Sequence, residues 1–354
     1  MKYILFVILC SSLLFTSCVG QQKQSIPTNN TVESMYYFYL TSGILYKYNM
    51  ITGETSTVCT DPVCKHDSDC FFSNVNYVLA HENTIFFTRS DTRTITTTND
   101  GLSFITESIC SFDYASGKRK ELCNLKSGVD SAVQGMLEFY EEYIYFYRQT
   151  PDPKVIEYSL YRVPSDGGDV EDMGLSAPMW HGAHYNNRLF FFDNIDTLYS
   201  TDIYGENRFE ERVLEESGRI VIMRDTSDGY LYYSVIYDNL NEVWRMDIES
   251  NEHQKLYETD FGVVSSLYRV DEKLYFLIAG EEIEYGTTNE GRRLTDPYSG
   301  KVYSIDLEKD ILKVIYDEPD SHILYLRKCG NAIIVFTNVV KNGILGTERF
   351  ILDS

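Results

Sequence analysis

The sequence predicts an all-β chain, a β-propeller of four-stranded antiparallel blades, seven in number, with six or eight as alternatives. Three observations predict it. An aromatic-rich phrase recurs seven times: Tyr36-Tyr37-Phe38, Ile85-Phe86-Phe87, Ile144-Tyr145-Phe146, Leu189-Phe190-Phe191, Leu231-Tyr232-Tyr233, Leu274-Tyr275-Phe276 and the aliphatic form Ile333-Ile334-Val335-Phe336. A second phrase follows most copies, an aliphatic-aromatic pair leading to Asp or Asn and a polar turn, as in Leu45 to Asn49, Ile109 to Asp113, Leu198 to Asp202, Val243 to Asp247 and Val302 to Asp306. The 29 Tyr and 19 Phe fall in short runs without long helical periodicity, which is how strands read.

Taken in order, the chain begins with Lys2, an apolar run from Tyr3 to Phe15, and Thr16-Ser17-Cys18. The run is shorter than the roughly 20 residues a bilayer-spanning helix needs, and small residues precede the cysteine. The segment resembles bacterial lipoprotein signals. That resemblance implies a signal peptide over 1–17, a lipid-bearing Cys18, a polar tether over 18–34, and a propeller over 35–354 held at the outer face of the cell membrane or at an envelope membrane.

The clearest repeat unit runs from Ser265 to Asp317. Ser266 to Val270 reads as strand A, Leu274 to Ile278 as B, Val302 to Asp306 as C and Leu312 to Tyr316 as D. Four short strands cannot bury both faces alone, so each sheet must be covered by its neighbours around a ring. The Asp closing strand C reads as the cap of the following turn, with a ring of calcium sites as the sharper alternative. The first unit lacks a clear strand A and the last lacks a strand D, so a terminal strand is expected to complete a blade across the seam.

The two-phrase pattern, with the cysteine segment below, resembles the tyrosine-rich propellers of the low-density-lipoprotein-receptor-related (YWTD-like) type, and in particular a group of bacterial lipoproteins carrying that domain. The resemblance covers about Met35 to Ser354. It implies a β-propeller in the cell envelope; the group has no assigned reaction, so no functional residue is carried over.

Beyond Cys10 and Cys18, six cysteines remain, and export permits disulfides. Cys110 and Cys123 flank the Ser116-Gly117 turn symmetrically, and a cross-strand bridge between them is expected. The segment from Cys59 to Cys70 holds Cys59, Cys64, His66 and Cys70 within twelve positions. Two readings stay open: a disulfide between two of the thiols, which the oxidising exterior favours, or a structural zinc on the four soft ligands, although C-x4-C-x-H-x3-C is not a standard zinc-finger spacing. Otherwise no cofactor is expected. Cys329 reads as a buried or free thiol.

Strand direction alternates, so the B-to-C loops and D-to-A connections share one face, and the long segments belong to it. There Trp180 and His181 are candidate stacking residues for a sugar or peptide, while Tyr285, Arg292 and Arg293 are candidate contacts for an acidic or polar partner. A charge of -22, from 31 basic and 53 acidic side chains, argues against a nucleic-acid phosphate partner. No G-x-S-x-G, H-E-x-x-H, P-loop or Gly-rich dinucleotide turn occurs. The sequence therefore points to a membrane-anchored, non-catalytic module for an unknown protein or glycan. The alternatives are a propeller lyase or hydrolase working at the channel mouth, and a structural component of an envelope assembly.

Overall fold

The computed structural model describes residues 35–352 apart from 98–102, 129–132, 150–157, 178–181, 193–196, 203–205, 214–218, 228, 238–239, 281–282, 288–292, 297–299, 318–320, 330 and 342–343. Among these residues seven antiparallel blades follow one another along the chain, with an eighth, two-stranded sheet inserted in the sixth. Blade 1 is β1 (Tyr36–Thr41), β2 (Ile44–Asn49) and β3 (Thr55–Thr57). Blade 2 is β4 (Val75–His81), β5 (Thr84–Thr97), β6 (Ser103–Asp113) and β7 (Arg119–Gly128). Blade 3 is β8 (Val133–Tyr140), β9 (Tyr143–Gln149), β10 (Tyr158–Pro164) and β11 (Glu171–Ala177). Blade 4 is β12 (Gly182–Tyr185), β13 (Arg188–Phe192), β14 (Thr197–Asp202) and β15 (Phe209–Val213). Blade 5 is β16 (Arg219–Ser227), β17 (Tyr230–Ile236), β18 (Asn241–Asp247) and β19 (His253–Thr259). Blade 6 is β20 (Val263–Val270), β21 (Lys273–Ala279), β24 (Gly300–Asp306) and β25 (Ile311–Tyr316), with the hairpin β22 (Ile283–Thr287) and β23 (Arg293–Asp296) inserted between its second and third strands. Blade 7 is β26 (Ser321–Cys329), β27 (Ala332–Lys341) and β28 (Ile344–Leu352).

The repeated aromatic phrase is the second strand of blades 2 to 7 and the first described strand of blade 1, and its unbroken apolar character has a direct cause. In β21, Leu274, Phe276 and Ile278 pack against blade 5 while Tyr275 and Leu277 pack against blade 7. A strand covered on both faces cannot alternate apolar with polar residues. The same holds around the ring, where seven buried clusters fill the seven junctions between neighbouring blades, blade 7 to blade 1 included.

Turn chemistry agrees with the sequence. Asn186 and Asn187, at φ 45° and 62°, form the two-residue connection from β12 to β13 that a type I′ hairpin requires. The residue closing the third strand caps the next turn. Asp247 Oδ1 accepts the N–H groups of Glu249 and Ser250, Asp113 Oδ1 that of Ser116, Asp306 Oδ1 that of Lys309, and Asn49 Oδ1 those of Ile51 and Thr52. The carboxyls are held below the usual aspartate range, Asp113 by the Ser116 hydroxyl and then its N–H, Asp306 by the Lys309 ammonium and then its N–H, and Asp247 by the Ser250 N–H.

Among the described residues blades 1 and 7 are both three-stranded, blade 1 without an innermost strand and blade 7 without an outermost one; residues 1–34 and 353–354, from which the expected closing strand would come, lie outside them. Side chains join the two blades across the seam. Tyr37 lies 5.1 Å from Phe336 between ring centres, Arg349 stacks 4.0 Å over Tyr39, and the Cys329 thiol donates to the Tyr36 carbonyl at 3.3 Å.

Candidate metal centre

The connection from β3 to β4 is built from two successive turns of the same form. Asp61 accepts the Val63 N–H on its side chain and the Cys64 N–H on its carbonyl; Asp67 does the same for Asp69 and Cys70. Each D-x-x-C turn delivers one thiol inward. His66 sits between them at φ 54°, and its N–H donates to Cys64 Sγ at 3.4 Å. The second turn is tied down from outside: Ser73 Oγ donates to the carbonyls of Asp67 and Cys70, and the Arg89 guanidinium donates to the Ser68 carbonyl at 2.8 Å. Cys59 follows β3, with its carbonyl accepting from Thr57 Oγ1 at 2.9 Å.

Together these elements bring Cys59, Cys64, His66 and Cys70 to one point, their ligand atoms all within 4.8 Å of one another. The gap from Cys70 Sγ to His66 Nδ1 is 3.7 Å. A tetrahedron with bonds of 2.0–2.3 Å has edges of roughly 3.5–3.8 Å, so the open set needs only a small contraction to close on a metal. All three cysteines are free thiols in the structure, gathered with the His66 imidazole. Cys59 and Cys70 are buried while Cys64 and His66 are half-buried, in the core that joins blades 1 and 2 through Val58, Phe72, Val75 and Phe87. Burial, with smaller contributions from the other two thiols, pushes the Cys70 thiol up to about 12.

The second expected bridge is corrected. A bulge between Ile109 and Cys110 places Cys123 opposite Ile109 and Cys110 opposite Glu121. Cys110 packs toward blade 1 and Cys123 toward blade 3, on opposite faces of the sheet, and both are free. Burial raises both thiols, to about 12 and about 11.

Of the sequence-derived binding residues, Trp180, His181 and Arg292 lie outside the described residues, as does Cys18. Tyr285 sits at the bulge of β22 and Arg293 opens β23, where it pairs with Thr287. Both strands rise from the face that carries the metal-centre loop. So does the far end of the β5–β6 hairpin, where Thr96 pairs with Phe104 and Thr97 with Ser103.

No protein-family model matches the chain, and no curated protein matches it by sequence. Solved structures do match. An oligogalacturonate lyase in complex with manganese superposes with TM-score 0.56 at 12% identity, over 86% of this chain and 81% of that one. An oligogalacturonate lyase from Vibrio parahaemolyticus gives 0.56 at 10%, over 91% and 88%. An acylaminoacyl peptidase gives 0.55 at 10%, over 91% of this chain and 52% of that one. The likeness is one of fold.

The sequence reading missed a polar chain near the tight-turn face. His184 on β12 meets Glu138 on β8 at 2.8 Å, stacks on Tyr140 and lies tilted against Tyr145; Arg162 then joins Tyr145 Oη at 3.4 Å and Glu171 at 2.7 Å. It ties blade 4 to blade 3. Residues so far apart in sequence give no local signal. The repeated D-x-x-C at 61–64 and 67–70 did offer one for the metal centre.

Proposed function

We propose that this chain is an extracytoplasmic, lipid-tethered propeller that binds a partner protein or glycan, without chemistry, through the face bearing the metal-centre loop and the β22–β23 hairpin. The supporting observation is the one-sided distribution of extra chain. The β3–β4 connection, the extended β5–β6 hairpin and β22–β23 all belong to one rim, while the opposite rim carries connections as short as the two residues Asn186-Asn187. Insertions on a single face of a rigid scaffold shape a recognition surface without disturbing the sheets. The net charge of -22 turns that surface away from nucleic acid.

Photo-crosslinkers placed singly at Tyr285, Arg293 and, on the opposite rim, Glu308 test the assignment in the native envelope. Capture of the same protein or polysaccharide from Tyr285 and Arg293 but not from Glu308 is the expected result. Equal capture from Glu308, or turnover of envelope polysaccharide by the purified chain, would remove the proposal. Cys18→Ser should move the protein from the membrane fraction to the soluble fraction and abolish its labelling by fatty acid.

A further inference from the structure

We propose that Cys59, Cys64, His66 and Cys70 hold one zinc ion in a closed tetrahedral site, and that the ion is structural, locking blade 1 to blade 2. This goes beyond the binding role and stands whether or not that role is correct.

The donor set selects the metal. Three sulfurs and one imidazole suit a borderline-soft ion and reject magnesium and calcium, which take oxygen ligands. The count selects the role. Four protein groups fill a tetrahedron, leaving no position for water or substrate, which is the mark of a structural rather than a catalytic zinc. The arrangement is also preformed: each of the two D-x-x-C turns is fixed by its own aspartate, and the Ser73 and Arg89 bonds hold the second from outside. The His66 N–H aimed at Cys64 Sγ is a donor placed where a metal-bound thiolate needs one.

The odd number of thiols points the same way. A disulfide would use two of the three and leave one sulfur over, whereas zinc uses all three and the imidazole. On binding, three S–H bonds break, three Zn–S bonds and one Zn–N bond form, and three protons leave to solvent; no electron moves, so no oxidant or reductant is needed.

Position gives the ion its work. Among the described residues blade 1 has three strands, and its outer strand β3 is three residues long. The chain then runs from Val58 to Asn74 without regular structure, yet it must bury Val58, Phe72 and two of the cysteines between the blades. A metal cross-link at the centre of that stretch replaces the ladder hydrogen bonds that a longer outer strand would supply.

Elemental analysis of the full mature chain, purified without chelator, together with thiol counting after denaturation in chelator, tests the assignment. One zinc per chain and six reactive thiols are expected. Absence of metal with four reactive thiols and a mapped disulfide among Cys59, Cys64 and Cys70 would overturn it. Cobalt(II) titrated into the metal-free chain should give the intense visible bands and near-ultraviolet sulfur charge transfer of a tetrahedral thiolate site; a weak octahedral spectrum would overturn it. Cys64→Ser should lose the metal on dialysis against a weak chelator while Cys123→Ser keeps it, and equal retention by both variants would also refute the site. Should Cys64→Ser fail to fold, the cobalt spectrum of the unaltered chain still decides.

Discussion

Glu107 offers a sharp test of how the blades are joined. It lies on β6, almost fully buried at 3% exposure, and its Oε2 accepts the Val133 N–H of blade 3 at 2.8 Å. Its Oε1 takes longer bonds from Asn76 at 3.3 Å and Ser90 at 3.4 Å. Replacing it with Leu removes the acceptor and leaves the buried Val133 N–H orphaned, a loss of about 1–3 kcal/mol. For a domain of this length that is a fall in Tm of about 2–5 °C. Replacing it with Gln keeps an oxygen toward Val133 and removes the charge. Burial raises the Glu107 carboxyl above its usual 4.5 more than the Val133 and Ser90 bonds and Arg148 lower it. A carboxyl held higher in the folded state binds its proton more tightly there. Its contribution to stability is therefore full below the unfolded value and is lost as pH rises through the raised folded value. Denaturant melts from pH 4 to pH 8 should show Glu107→Gln at least as stable as the parent at neutral pH, and without the parent's loss of stability as pH rises from the usual 4.5 through the raised folded value. Should Gln cost as much as Leu at neutral pH, the carboxylate charge itself would be joining the blades, and the hydrogen-bond explanation would be refuted.

Phe276→Ala empties a fully buried position at the blade 5 to blade 6 junction and should cost about 3–5 kcal/mol in denaturant melts; a loss below about 1 kcal/mol would contradict the interlocked junction. Gly262→Ala and Gly174→Ala separate strain from crowding. Both glycines have positive φ, 67° and 65°, but a Cβ at Gly262 would collide with the Ala279 carbonyl while one at Gly174 meets nothing. The second variant should lose about 1–2 kcal/mol and the first distinctly more, as read by Tm; equal losses would refute the close approach. Cys110 and Cys123 should each be alkylated after unfolding without reductant and resist alkylation at pH 8 when folded, since burial holds their thiols near 12 and 11. A mapped Cys110–Cys123 disulfide would contradict the register of β6 and β7.

The blades were legible because the physics that makes them is local and repeated. A second strand buried on both faces needs a run such as Leu274 to Ile278, and a tight turn needs a cap such as Asp247, so both leave a mark in the sequence. Register was not legible. One extra residue at the Ile109–Cys110 bulge turns a symmetric pair of cysteines to opposite faces, and composition carries no trace of it. The candidate metal centre was half legible. Its four groups were visible as a cluster, but whether thiols pair or converge depends on the two aspartate-fixed turns, which place the donor atoms to within an ångström or so of a tetrahedron. Ties between blades, such as Glu138 to His184, join residues whose neighbourhood exists only once the ring has formed.

Among the described residues every blade is a separate sheet, so each junction of the ring, that of blades 7 and 1 included, is held by side-chain packing rather than by a shared ladder. Contacts such as Tyr37 on Phe336 and the Arg349 stack on Tyr39 fix no strand register, so a volume change in one interblade layer is met by repacking of side chains and breaks no ladder hydrogen bond within a sheet.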